Sequence, residues 1–170
     1  MRHALGHFAT GVTIVTGYAA EGEPVGFACQ SFASVSLHPP LVLFCADHRG
    51  RSWPRMRDDG RFTVNVLRDE QRDLIARFGS RAGRRFDGLE WFESEHGGPS
   101  LPGVILRVHG AVDGVHVAGD HDVVIGRVLE LEDGDPGRPM LFYRGRFTVT
   151  ERRGSAVGDE APEPLDDYWG

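Results

Sequence analysis

Small polar side chains are concentrated between two predicted strands in residues 25–40, whose sequence is VGFACQSFASVSLHPP. They are Gln30, Ser31, Ser34 and Ser36. Each buried hydroxyl or amide needs a hydrogen-bonding partner, so a segment that only builds a core rarely contains so many of them. The segment therefore has two interpretations: an edge strand that leads into a Ser-rich turn, or a polar cradle for a flat, hydrogen-bonding ligand.

All 19 basic residues are arginine, and many of them fall in two clusters. The clusters are Arg49, Arg51, Arg55, Arg57 and Arg61, and Arg72, Arg77, Arg81, Arg84 and Arg85. Ser52 and Pro54 predict the start of a helix beside Arg51, where free backbone N–H groups favour an anion. Because a guanidinium can hold phosphate oxygens bidentately, the clusters suit a small anionic ligand. The alternative is a solvated face whose arginines pair with Asp58, Asp59 and Asp73.

Other chemistries lack their usual patterns. There is no G-x-G-x-x-G turn, no His-Glu-x-x-His helix and no G-x-S-x-G frame around the serines. Cys29 and Cys45 belong to no CxxC pair and are predicted to be core residues. His116, Asp120 and His121 could converge on a metal, but the polarity of a hairpin tip explains them more simply, so we predict no metal site.

The elements that must position these residues are mostly strands. Alternating or continuous apolar runs predict strands at residues 12–16, 41–46, 62–67, 104–117, 121–131, 140–143 and 146–149. Helices are predicted at residues 3–9, from Ser52 onward, and at residues 69–78 with Asp69 as the cap. Residues 118–120 look like a hairpin turn with polar residues at its tip. The pattern predicts a mainly β protein, a closed antiparallel barrel with a few helices.

Length and charge limit the possible classes of protein. A chain of 170 residues predicts one domain, which we place at residues 1–151, followed by a flexible acidic tail at residues 152–170. The net charge of −6 argues against a nucleic-acid-binding surface. No apolar run approaches the roughly 20 residues of a membrane span, and no signal peptide is visible, so a cytoplasmic protein without membrane contact is expected.

Five blocks of the sequence resemble the short-chain flavin reductases, the reductase components of two-component flavin-dependent monooxygenases. The main block is GFACQSFASVSLHPPLVLFC, which is similar to the family signature G-F/M-T-A-N/S-S-F-x-S-V-S-L-x-P-P-L-V and departs from it at Ala28 and Gln30. The others are FATGVTIVT, GRFTVNVL, AGDHDVVIGRV and LFYRGRF, in the family's order. This resemblance implies an FMN-binding split barrel, Greek-key-like in its connections, that forms a homodimer with the flavin at the interface.

The resemblance also implies roles for individual residues. Those expected to bind the flavin are Ala28, Cys29, Gln30, Ser31, Ser34, Ser36, Cys45, Arg51, Ser52, Arg85 and Phe86. Arg51, Ser52 and Arg85 would hold its phosphate, and the serines and their neighbours would meet the polar edge of the isoalloxazine ring. His121 is the expected catalytic residue. With Arg146 and Phe147, His121 would also lie near the nicotinamide of NADH.

The function implied by the resemblance is an NAD(P)H:flavin oxidoreductase. Such an enzyme transfers hydride from NADH to FMN or FAD and supplies free reduced flavin to a partner monooxygenase, in secondary metabolism or aromatic degradation. The alternative is a non-catalytic flavin- or haem-binding split-barrel module. An oxidase of the pyridoxamine-phosphate type shares the barrel but is not supported by the GDH and YRGRF blocks.

Overall fold

The structure is a computed structural model, and it describes residues 1–80 and 85–150. The predicted tail at residues 152–170 and Arg81 and Arg84 of the second arginine cluster lie outside the described residues.

Ten strands and three short α-helices make up the regular structure of the described residues. The strands are β1 (Thr10–Gly11), β2 (Thr13–Tyr18), β3 (Pro24–Cys29), β4 (Ala33–Leu37), β5 (Pro40–Asp47), β6 (Arg61–Val66), β7 (Leu106–Ala118), β8 (His121–Asp133), β9 (Met140–Tyr143) and β10 (Arg146–Val149). The helices are α1 (Arg2–Leu5), α2 (Trp53–Met56) and α3 (Arg72–Gly79). The prediction of a mainly β fold with few helices is confirmed.

Seven strands form one antiparallel sheet in the order β3-β2-β6-β7-β8-β5-β4. Alternate residues of these strands point to one apolar core, which includes Val15, Phe44, Phe62 and Val124. Because strands far apart in the sheet order share this core, the sheet must curl into a barrel. β3 and β5 are not paired in the sheet; instead, the Ser31 Oγ accepts a hydrogen bond from the Cys45 backbone N–H at 2.8 Å. The barrel is therefore split at this seam.

Phe62 fills the centre of the barrel and explains two glycines within strands. A Cβ atom at Gly126 would lie 2.3 Å from the Phe62 Cζ, and one at Gly110 would lie 2.5 Å from it. Real Cβ atoms do not approach a ring carbon so closely, so a larger residue at either position would displace the Phe62 ring.

A second, smaller sheet has the order β1-β9-β10. It contributes to a separate core that includes Ile14, Leu67, Phe78 and Met140. Phe78 comes from α3, so this helix is held against the barrel by the second core. The arrangement brings the end of α3 close to the seam between β3 and β5.

The predicted hairpin turn and the predicted helix start at Ser52 and Pro54 are confirmed, but neither Ser52 nor Asp69 caps a helix with its side chain. Ala118 pairs with His121, and Gly119 has a φ of +67°, which a glycine adopts without strain. Ser52 precedes α2 without capping it, because its Oγ donates to the Gly26 carbonyl at 2.6 Å. Asp69 does not cap α3, which begins at residue 72; its carboxylate pairs with Arg138 at 2.7 Å.

The first helix is also shorter than predicted, ending at residue 5 rather than 9. Among the helices of the described residues, none has the length and apolar character that crossing a membrane requires.

Candidate functional site

A cleft with a volume of about 750 Å³ opens along the seam between β3 and β5. Its walls come from the end of β3, the end of β5 and the following loop, the C-terminal half of α3 and the turn before β8. The lining residues are Val12, Phe27, Ala28, Cys29, Gln30, Ser31, Cys45, Ala46, Asp47, Arg49, Gly50, Arg51, Ser52, Trp53, Ile75, Phe78, Gly79, Ser80, Arg85 and His121. The cleft thus collects residues from distant parts of the chain.

One end of the cleft is strongly basic because of Arg85 and Arg51. The Arg85 guanidinium donates to the Gly26 carbonyl at 2.5 Å, to the Ser80 carbonyl at 2.8 Å and to the Ser52 hydroxyl. Its Nε is buried and has no partner in the structure. Burial lowers the pKa of Arg85, and the positive charge of Arg51 lowers it further. Two guanidiniums that repel each other in this way favour the binding of an anion between them.

Neither guanidinium has a carboxylate partner in the part of the chain that the structure describes. Arg49, which lies on the same loop, provides the contrast: it pairs with the Asp47 carboxylate at 2.8 Å. The hydrogen bonds from Arg49 hold the pKa of Asp47 well below its usual value. Arg49 is therefore neutralised within the loop, and the free positive charge of the cleft belongs to Arg51 and Arg85.

The middle of the cleft is a mixed surface of backbone, sulfur and hydroxyl groups. The β2–β3 ladder ends at the pair Thr13–Cys29, so the backbone groups of Gln30 and Ser31 lie beyond it. The Cys29 Sγ lies 3.3 Å from the Ser31 Oγ, and burial raises the pKa of the Cys29 thiol. Phe27, Ile75 and Phe78 provide the apolar part of the lining. Such a surface suits a flat ring system that has polar edges.

His121 reaches the cleft from the turn before β8. Its Nδ1 lies 2.7 Å from an Asp120 carboxylate oxygen, and this hydrogen bond lowers the pKa of Asp120. A carboxylate can only accept, so Nδ1 carries the proton. The Nε2 atom has no recorded partner in residues 1–80 and 85–150, which leaves it for a ligand.

Behind the cleft lies a buried carboxylate, Asp122, that the sequence analysis did not single out. Asp122 is 6% exposed; its two oxygens accept hydrogen bonds from the Trp53 Nε1 and the His48 Nε2, each at 2.8 Å. These two bonds lower the pKa of Asp122. The alternation of β8 could have revealed Asp122, because this residue lies on the same inward face of the strand as Val124 and Gly126.

The comparisons with known proteins agree on one family. The model of the flavin reductase like domain matches residues 5–151. The chain belongs to this family. Its relatives include the reductase subunit HsaB of a flavin-dependent monooxygenase from Rhodococcus jostii, which is 50% identical over 150 residues, or 88% of this chain and 76% of the relative.

Solved flavin reductase like structures have the same fold. Nitrilotriacetate monooxygenase component B from Mycobacterium thermoresistibile superposes with a TM-score of 0.86 at 45% identity, covering 95% of this chain and 91% of that one. An NADH:FAD oxidoreductase of Streptomyces globisporus, solved in complex with NAD and FAD fragments, superposes with a TM-score of 0.84 at 32% identity and covers 91% and 93% of the two chains.

Nine of the site residues predicted from the sequence line the cleft. They are Ala28, Cys29, Gln30, Ser31, Cys45, Arg51, Ser52, Arg85 and His121. Some lie on either side of the seam, at the ends of β3 and β5. Arg51 and Ser52 lie on the loop after β5, Arg85 follows α3, and His121 begins β8. The phosphate-binding candidates stand at one end, and His121 contributes a different part of the lining.

Five predicted residues lie elsewhere. Ser34 and Ser36 are on the edge strand β4, which pairs with β5 only as far as Leu43 and so stops short of Cys45. Phe86 packs its ring against Phe78 at 5.2 Å and belongs to the second core rather than to the cleft lining.

Arg146 and Phe147 lie on β10. Phe147 packs against Phe142, with ring centroids 5.2 Å apart, and Arg146 is exposed. The structure does not bring either residue to the cleft, because β10 belongs to the second sheet.

The residues present fit a flavin nucleotide. The uncompensated Arg51 and Arg85 and the orphaned Arg85 Nε suit a phosphate, and the apolar and mixed polar linings suit an isoalloxazine ring. Within the described ranges, no group of three or more His, Cys, Asp or Glu side chains is arranged to hold a metal ion.

Proposed function

We propose that this protein is the NAD(P)H-dependent flavin reductase of a two-component monooxygenase system. In this proposal the enzyme transfers hydride from NADH to FMN or FAD and releases the reduced flavin to a separate monooxygenase. The observation that carries it is the pair of guanidiniums without a counter-charge, Arg51 and Arg85, in the same cleft as His121. The names of the relatives, which include a monooxygenase reductase subunit and an NADH:FAD oxidoreductase, support it.

Phosphate binding is assigned to the basic end of the cleft. Arg85 is held in place by the Gly26 and Ser80 carbonyls, so its guanidinium is oriented before a ligand arrives. Little side-chain entropy is then lost on binding. Arg51 is exposed and adds a second positive charge, and the Ser52 hydroxyl bonds to both the Arg85 guanidinium and the Gly26 carbonyl.

The flavin ring is assigned to the middle of the cleft. The backbone groups of Gln30 and Ser31 lie beyond the β2–β3 ladder and can meet the alternating acceptors and donor at the ring's polar edge. Phe27 and Phe78 can cover its apolar part. When it is bound, the flavin supplies the redox chemistry, because it accepts a hydride that no amino-acid side chain can accept.

His121 is assigned to the nicotinamide side. The Asp120 carboxylate fixes the His121 ring through Nδ1 and so orients Nε2. From this position the unprotonated Nε2 can accept a hydrogen bond from a polar group of the nicotinamide and hold it against the flavin. This placement matters because hydride transfer requires the reacting atoms to approach to about 3–3.5 Å.

A homodimer is part of the same proposal. The outer face of β5 and β8 beside the cleft carries Leu41, Leu43, Val123 and Ile125, all partly exposed and on the same side as Cys45. A partly exposed apolar face next to a ligand cleft is typical of an interface. Sedimentation should therefore give a dimer, and Ile125→Asp should give a monomer with weakened flavin binding. A wild-type monomer with full flavin affinity would contradict this part of the proposal.

The central test is oxidation of NADH or NADPH by the purified protein in the presence of FMN or FAD. His121→Ala should lower kcat/KM for NADH by about 10- to 100-fold, the effect of one lost hydrogen bond at the reacting centre, and leave flavin affinity nearly unchanged. His116→Ala is the matched control, because His116 is exposed on the same hairpin and does not line the cleft. Loss of flavin binding in His121→Ala without a separate effect on NADH would contradict the assignment.

The assay also separates the enzyme from the binding-module alternative. A wild-type protein that binds flavin but oxidises neither NADH nor NADPH would be a non-catalytic flavin-binding module. Rapid NADH oxidation with free FMN or FAD as the electron acceptor supports the reductase.

A further inference from the structure

Asp122 joins two parts of the candidate site without lining the cleft itself. Asp122 follows His121 in the chain. Because side chains alternate along β8, the Asp122 side chain points inward and the His121 side chain faces the cleft. Its carboxylate is nearly fully buried, and each of its two oxygens accepts one hydrogen bond.

The two donors to Asp122 stand at the ends of the loop that carries Arg51 and Ser52. His48 follows β5 directly, and Trp53 is the first residue of α2. A third hydrogen bond comes from the His48 backbone N–H to the Asp120 carbonyl at 3.0 Å. The loop that we assign to the flavin phosphate is thus attached at both ends to the turn that carries His121.

This attachment is stiff for a physical reason. A buried carboxylate destabilises the protein unless its oxygens accept hydrogen bonds. Moving the loop away would leave the Asp122 carboxylate buried without its two donors. The loop therefore keeps its position relative to His121 even though Arg51 itself is exposed. A displacement of about 1 Å between reacting groups can lower a rate by about 100-fold, so such a fixed distance has catalytic value.

We propose that Asp122 is a positioning residue that, through His48 and Trp53, holds the phosphate-binding loop at a fixed distance from His121. The inference rests on the proposed function, because it concerns the same cleft. It adds a residue that touches neither nucleotide and that sets the geometry between the phosphate end and the nicotinamide side. Asp122 itself makes no contact with the ligand.

His48 is the best place to test the inference. Its side chain is 39% exposed and does not line the cleft, so its replacement should leave the core intact. His48→Ala removes the bond to Asp122, whereas His48→Gln keeps a donor that can reach the carboxylate. The dissociation constants of FMN and riboflavin are measured for each variant by quenching of tryptophan fluorescence, together with the midpoint of thermal unfolding.

The expected result is a loss that depends on the phosphate. His48→Ala should weaken FMN binding by about fivefold, which is less than the loss of a direct hydrogen bond to the phosphate because the effect reaches the ligand through the loop, and riboflavin binding by less than about twofold. His48→Gln should restore FMN binding to within about twofold of the wild type. His116→Ala, an exposed histidine on the hairpin of His121, should change neither constant.

Turnover gives a second readout. With FMN saturating, His48→Ala should lower kcat by about threefold while KM for NADH stays constant, because the misplaced phosphate loop alters the distance to His121 and not the binding of NADH. A merely structural role would lower the unfolding midpoint and leave the ratio of FMN to riboflavin affinity unchanged.

Three outcomes are distinguishable. A phosphate-dependent loss that His48→Gln rescues supports the inference. Unchanged FMN binding in His48→Ala, or equal losses for FMN and riboflavin, overturns the inference and leaves the proposed function standing. A wild-type protein that binds neither flavin and oxidises no NADH removes the proposed function and this inference with it.

Discussion

Arg107 is buried and Arg85 is half-buried, but of the two only Arg107 has a carboxylate partner among the described residues. Arg107 binds a Glu132 carboxylate oxygen at 2.7 Å, donates twice to the Leu101 carbonyl and lies over the Phe92 ring at 4.7 Å. In residues 1–80 and 85–150, Arg85 donates only to neutral oxygens, lies near the positive charge of Arg51 and has a buried Nε without a partner. The first arginine has a structural role, whereas the proposed function gives the second its missing partner, the phosphate of a ligand.

His109, near Arg107, and His121, in the cleft, show the same difference in pairing. His109 is 1% exposed; its Nδ1 lies within 3.0 Å of the Thr63 and Ser94 hydroxyls, and its Nε2 lies 3.2 Å from Glu132. His121 uses one nitrogen on Asp120 and presents the other to the cleft. In both comparisons, the side chain that lines the cleft is the one that keeps an atom without a protein partner among the described residues.

The largest effect that this comparison predicts is on the stability of the protein. Arg107→Met should lower the free energy of unfolding by about 2–3 kcal/mol, because it leaves the Leu101 carbonyl and the Glu132 Oε1 without the donors that Arg107 provides. The value is below that of a fully buried pair, since Glu132 is 42% exposed. Urea unfolding measures the change. Flavin affinity of the folded variant should stay the same, and a change below about 0.5 kcal/mol would show that Arg107 is not structural.

The counterpart is Arg85→Met, which should act on binding rather than on stability. FMN affinity should fall by about 1.5–3 kcal/mol, the value of a hydrogen bond to a charged group, while riboflavin affinity stays within about twofold. The free energy of unfolding of the ligand-free protein should be unchanged or slightly raised, because a half-buried cation without a counter-charge is removed.

Arg49→Met is the matched control for Arg85→Met. Arg49 also lines the cleft, but its charge is compensated by Asp47. FMN binding by this variant should change by less than about 0.5 kcal/mol, as expected for an exposed ion pair. Equal losses for Arg49→Met and Arg85→Met would mean that general positive charge, rather than the uncompensated pair, attracts the phosphate.

Local patterns in the sequence were sufficient for the strands and for much of the cleft. The alternation of apolar residues predicted the strands, and Gly119 with Asp120 predicted the hairpin turn, because both depend on neighbouring residues only. Arg51, Ser52 and Arg85 were singled out by residue type and by resemblance, and they do lie together at one end of the cleft.

The parts that could not be predicted depend on contacts between distant residues. Ser34 and Ser36 follow Ser31 closely in the sequence, but strand pairing carries them to an edge that ends before the cleft. Asp69 looked like a helix cap until Arg138, far along the chain, provided a better partner. The role proposed for Asp122 depends on its hydrogen bonds to Trp53 and His48, which are distant in the sequence and are brought close by the fold.

Ser31 combines the features of both regions: it lines the cleft, as Arg85 does, and its side chain is hydrogen bonded within the protein, as that of Arg107 is. Ser31→Ala removes the acceptor of the Cys45 N–H, so the free energy of unfolding should fall by about 1 kcal/mol. FMN and riboflavin affinities should fall together, by less than about threefold, because the seam loosens without any change at the phosphate end. A loss confined to FMN would place Ser31 among the phosphate ligands instead.

The smallest effect is on how the free energy of unfolding depends on pH at low pH, through Asp122. Hydrogen bonds from Trp53 and His48 lower the pKa of Asp122 in the folded protein, whereas an unfolded aspartate has a pKa of about 3.9. A depressed folded pKa stabilises the protein above the unfolded pKa, and this contribution is lost as the pH falls through the folded value. Asp122→Asn should therefore be less stable than the wild type at neutral pH, and the difference should shrink as the pH falls below about 4. Urea midpoints of both proteins along a pH series measure it, and a difference that stays constant down to the lowest pH would mean that the loss comes from packing and not from the carboxylate charge.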